Sequence, residues 1–90
     1  MTDITLPARC DRQAIVQLVD PIMAALGAGA VTLDASAVAK PGQALLQLLL
    51  SARKTAAELG QACVIKPSDP LREMAAMVGA EAALFEGGAA

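Results

Sequence analysis

Ninety residues, 56% of them hydrophobic and only one of them aromatic (Phe85), carry a net charge of −2. That length holds a single domain, residues 1–90, with one core that small and branched aliphatic side chains must fill. The charge excludes the basic footprint of a nucleic-acid binder, and the missing aromatics exclude stacking platforms for single strands.

Thr2 to Pro7 alternates polar and apolar residues, with Ile4 and Leu6 on one face, and predicts a short strand. Asp11 is placed to cap the segment that follows. In that segment Ile15, Val16, Leu18, Val19, Ile22, Met23 and Leu26 recur at helical spacing. Pro21 predicts either a kink or a restart with Asp20 as cap, because its ring clashes with the preceding turn. Gly27 and Gly29 predict the end of this helix.

From Ala30 to Ser36 the alternation is clean. Val31, Leu33 and Ala35 point one way, and Thr32, Asp34 and Ser36 the other. A leucine-dense helix is predicted from Gly42 to Leu59, stopped by Gly60. The continuous apolar run Ala62 to Ile65 predicts a strand covered on both faces. Ser68 or Asp69 then caps a short helix opened by Pro70 and Leu71 and closed by Gly79. Ala82 to Phe85 reads as a last short strand or a helix end, and Gly87 to Ala90 as a frayed terminus. Strands alternating with helices in this way point to an α/β domain with parallel pairing and right-handed crossovers.

The uncharged stretch from Ile22 to Leu33 is broken by glycines and is far shorter than the roughly 20 apolar residues of a membrane span. The first residues contain no apolar segment of signal-peptide type. Cys10 and Cys63 read as reduced thiols, Cys63 inert within its strand and Cys10 the more accessible. The expectation is a cytoplasmic protein with no membrane insertion. There is no His to pair with a nucleophile and no cluster of metal ligands, so neither a catalytic residue, a metal nor a cofactor is expected. Ser36 is expected to make a local backbone hydrogen bond.

Several of these segments together resemble a known family. LDASAV at 33–38, the leucine-rich helix ending at Gly60, and VIKPSDPLREMAAMVGAEAALF at 64–85 are similar in order and spacing to the STAS domain, the fold of the anti-sigma factor antagonists. The resemblance spans Ile4 to Phe85. It implies a mixed β-sheet of about four strands with helices packed against it. It also implies a non-enzymatic interaction module that regulates a signalling histidine kinase or an anti-sigma-like ATPase. The departure lies at the start of the long helix. Where the family places Asp, two hydroxyl residues and Gly, this chain has Gly42, Gln43, Ala44 and Leu45. Neither Gln43 nor Ala44 offers an oxygen that can accept phosphate, so no phosphoacceptor is expected. In this respect the chain resembles a branch associated with chemotaxis signalling.

On that helix, Gln43, Gln47, Ser51, Lys54 and Glu58 form a polar stripe, which is either a solvated or a contact face. Leu45, Leu49, Ala52, Ala56 and Leu59 form the core stripe. Leu46 and Leu50 lie on the shoulder between the two, either buried or exposed as a docking patch. The expected partner-binding surface is Lys40, Pro41, Gly42, Gln43, Leu46, Gln47 and Leu50, and the leucine shoulder is also a surface for a homodimer. The free N–H groups at Gly42 to Ala44 are either an anion site or plain turn chemistry. Two other functions fit the same features: a STAS-like subunit of a lipid-transport ABC ATPase, and a small carrier of anionic ligands.

Overall fold

A computed structural model describes residues 2–85; Gly87 to Ala90 lie outside them. Three strands, β1 (Thr2–Thr5), β2 (Val31–Asp34) and β3 (Cys63–Lys66), form one parallel sheet in the order β1-β2-β3. Helix α1 (Arg12–Ala28) connects β1 to β2, and α2 (Gly42–Leu59) connects β2 to β3. Two short helices follow, α3 (Asp69–Met77) and α4 (Glu81–Phe85). The α/β class is as expected, but the sheet has three strands, all parallel, and not four in a mixed arrangement. The segment read as a last short strand or a helix end is helical, α4. Its sequence, Glu-Ala-Ala-Leu-Phe, opens with a carboxylate in the first turn and is rich in helix formers.

The pairing is in step across all three strands, so Thr2, Val31 and Cys63 form one row and Ile4, Leu33 and Ile65 another. Side chains alternate across a pleated sheet, so these two rows share a face. Val31, Leu33, Cys63 and Ile65 are buried there with Leu6, Ala35 and Val38. Helices α1 and α2 pack side by side, and α4 packs on α2 and β3. The helical layer therefore lies on one face of the sheet. The opposite face carries Asp3, Thr32 and Val64 in one row and Thr5, Asp34 and Lys66 in the next. Val64 is 44% exposed, and β3 is buried on alternate residues only. This corrects the expectation that the run through Ile65 is covered on both faces. The chain after β3 returns to the helical layer and does not cross to the other side.

The helix ends follow local chemistry. Asp11 accepts a hydrogen bond from the Ala14 amide at 2.9 Å and caps α1, as expected. One helix continues through Pro21 without restarting at Asp20. Pro21 and Gln17 are both on the exposed side, where water can serve the Gln17 carbonyl left without its N–H partner. Ser68 caps α3 by accepting from the Leu71 amide at 3.2 Å. At the end of α2, Gly60 takes φ +69° while the Gln61 amide reaches the Ala56 carbonyl at 2.9 Å. That left-handed turn, closed by a bond spanning five residues, is a stop that favours glycine.

α2 lies on the sheet with α1 and α4 also against it. This position explains a second correction. Leu45, Leu49, Ala52 and Ala56 are buried as expected, but so are Leu46, at 5% exposure, and Leu48. Leu59, assigned to the core stripe, is 51% exposed, because it is the last residue of the helix before the Gly60 turn.

Candidate functional site

Beyond the carboxyl ends of β1 and β2 the chain does not splay into free loops. The Ala39 amide donates to the Ala8 carbonyl at 2.8 Å, the Lys40 amide to the same carbonyl at 3.1 Å, and the Cys10 amide to the Lys40 carbonyl at 3.3 Å. Arg9 and Lys40 thereby become partners in a parallel bridge outside the sheet. Gly42, at φ +67°, turns the chain from this ladder into α2. A Cβ at Gly42 would stand 3.5 Å from the Cys10 carbonyl, an ordinary contact, so the requirement for glycine is the left-handed backbone.

The ladder forms the wall of an open groove of about 560 Å³. Arg9, Cys10 and Asp11 come from the connection between β1 and α1, and Lys40, Pro41 and Gly42 from the connection between β2 and α2. Met74 of α3 completes the lining. Helix α2 begins there without a side-chain cap, because Pro41 precedes it with no polar group to offer. Neither α1 nor α2 has an acidic residue in its first turn. The positive ends of two helix dipoles thus meet Arg9 and Lys40.

Lys40, Gly42, Gln43 and Gln47 are exposed, and Pro41 and Leu50 are half-buried. Ala44 is also exposed. The polar stripe Gln43, Gln47, Ser51, Lys54 and Glu58 faces solvent along its whole length. Leu46 is the exception among the predicted contact residues. It packs into the core and presents almost no surface for contact. Arg9 and Met74 escaped the sequence reading altogether. Arg9 is far from Lys40 in the chain, and only the non-local ladder reveals their proximity.

Cys10 is buried, not accessible, and its thiol donates to the Pro7 carbonyl at 3.4 Å. Burial, and then the charge of Asp11, push its pKa above the ordinary thiol value, which disfavours the thiolate. Burial likewise raises Cys63, with Arg53 opposing the shift. At the end of β2, Ser36 donates its hydroxyl to Asp34 Oδ1 at 2.6 Å and its amide to the same oxygen at 3.0 Å. The Ser36 hydroxyl is therefore bonded to a side chain, not to the backbone as expected. These two bonds, the hydroxyl first, hold the Asp34 carboxyl below the ordinary aspartate range.

Among the described residues no group of three or more His, Cys, Asp or Glu side chains is placed to hold a metal ion. No helix among them is long and apolar enough to cross a membrane. Comparison with protein-family models, with curated proteins and with solved structures finds no match.

Proposed function

We propose that this chain is a STAS-like, non-enzymatic interaction module that regulates a signalling histidine kinase or an anti-sigma-like ATPase by binding it, in a chemotaxis-linked system. The contact surface is the Lys40–Gly42 connection together with Gln43, Gln47 and Leu50 of α2. The observation that carries this reading is the continuity of that surface. Gln43, Gln47 and Leu50 follow at i, i+4 and i+7, which sets them on one side of the helix, directly after a loop that walls a groove. Leu50 is half-buried against the core and leaves an apolar edge beside two exposed amides. Such a polar surface with an apolar edge suits a regulatory contact that forms and dissolves.

In this reading Gln43 is a constant contact at the position where related domains carry a phosphorylatable hydroxyl. Control then comes from the amount of partner or from another protein. Buried at an interface, an unpaired carboxylate is costly, so Gln43→Asp weakens the complex by about 3 kcal/mol. The test is affinity capture from native lysate with wild type, Gln43→Asp and Gln47→Arg, followed by mass spectrometry. Both substitutions are at exposed positions and leave the core intact. A histidine kinase or anti-sigma-like ATPase held by wild type and lost from both variants supports the reading. Identical captures from all three, or none, overturn it.

A further inference from the structure

We infer that the groove beside the Arg9–Lys40 bridge receives an acidic peptide segment in which a carboxylate neighbours an aliphatic side chain. The inference rests on the interaction-module reading and adds the chemistry of the partner at the amino-terminal end of α2.

Charge complementarity carries the argument. The chain is acidic overall, at −2, yet Arg9 and Lys40 occupy neighbouring backbone positions at the groove and Arg12 stands in the first turn of α1. Like charges on adjacent strands repel, and a cation in the first turn of a helix opposes the dipole. Against the two cations of its lining, Arg9 and Lys40, the groove offers one carboxylate, Asp11, whose Oδ1 already accepts the Ala14 amide. The contrast with the other end of the chain is direct, since α3 and α4 carry Asp69 and Glu81 in their first turns. An anionic occupant would complement the two like charges that the bridge sets side by side.

The lining decides what kind of anion. Cys10, Pro41 and Met74 make much of the wall apolar, and the groove is open to solvent. A small, fully hydrated anion gains nothing from such a wall. A peptide gains twice, by placing carboxylates at Arg9 and Lys40 and an aliphatic side chain against Pro41 and Met74. Pairing at an exposed rim contributes orientation and association rate more than affinity, so the binding is salt-sensitive.

The test is an amide NMR titration of the full chain with the peptide acetyl-Glu-Leu-Glu-Glu-Leu-amide, its lysine counterpart, and inorganic phosphate alone. The acidic peptide is expected to shift the amides of residues 9–12 and of Lys40, Gly42 and Gln43, and the shifts shrink as salt is added. In R9E/K40E, with both changes at exposed positions, its dissociation constant rises about tenfold and preference turns to the lysine peptide. Unmoved amides elsewhere in that variant show that it folds. The inference is overturned by the absence of shifts at those amides, by equal shifts with the lysine peptide, or by equal shifts with phosphate alone. If lysate capture still finds a partner while the peptide binds nowhere, only the acidic chemistry falls. If both fail, the interaction reading falls with it.

Discussion

The amide of Cys10 donates to the carbonyl of Lys40 at 3.3 Å, and this bond fixes the distance between the two connections that wall the groove. Its geometry depends on what the chain does next. Gly42 must leave the ladder at φ +67° to start α2. Gly42→Ala therefore destabilises the fold by about 1–2 kcal/mol, the usual cost of holding a side chain in the left-handed region. Because the added methyl meets the Cys10 carbonyl at only an ordinary contact distance, no steric cost is added. Urea unfolding measures this directly. A variant as stable as wild type would show that the turn relaxes to negative φ.

The one-sided sheet makes a sharper prediction on β3. Val64 faces solvent while its neighbour Ile65 is buried in the core. Val64→Thr keeps a β-branched side chain and changes stability by no more than about 0.5 kcal/mol. Ile65→Ala empties a packed site and costs about 3 kcal/mol. Comparable losses at both positions would mean that the second face of the sheet is covered.

The contrast between these two positions also shows where a sequence reading stops. Asp11, Ser68 and Gly60 mark helix ends through bonds made within a few residues, and all three positions were legible. The alternation of Val31, Leu33 and Ala35 identifies the buried face of β2 without reference to anything else. What covers the other face is not a local property, so Val64 was misassigned. Leu46 is buried because helices pack against α2, which its place on the shoulder between the two stripes does not reveal. The groove is the extreme case. Lys40, Pro41 and Gly42 were singled out as a loop, but Arg9 joins them only through a ladder closed between distant segments.

Asp34 and Ser36 yield a prediction in pH. The folded state holds the Asp34 carboxyl below its ordinary value through the Ser36 hydroxyl and amide. A carboxyl with a depressed folded pKa stabilises the fold above its unfolded pKa, near 4, and that contribution is lost as the pH falls through the folded value. Ser36→Ala removes the hydroxyl and keeps the amide, so the Asp34 pKa rises partway toward the ordinary aspartate value. Carbon-13 NMR titration of the carboxyl carbon reads the shift in both proteins. Identical titration curves would mean that the 2.6 Å hydroxyl bond does not hold the charged form.

The last prediction concerns Arg53, which the sequence reading passed over. Half-buried on α2, it donates one guanidinium nitrogen to the Cys63 carbonyl at 3.1 Å and the Leu84 carbonyl at 2.8 Å. One side chain thus ties the start of β3 and the end of α4 to α2. Hydrogen bonds from a charged donor contribute more than neutral ones, so Arg53→Met, which keeps the aliphatic stem, costs about 2 kcal/mol. The loss is uneven across the molecule. α4 is only five residues long and has little helical stability of its own, so its amides exchange faster in the variant while those of α1 keep their relative protection. Removing the cation also lets the Cys63 pKa rise further, since Arg53 now opposes the effect of burial on that thiol. Hydrogen exchange and thiol titration together separate this role from general destabilisation. Uniformly faster exchange with an unchanged Cys63 would show that Arg53 is not the tie between β3 and α4.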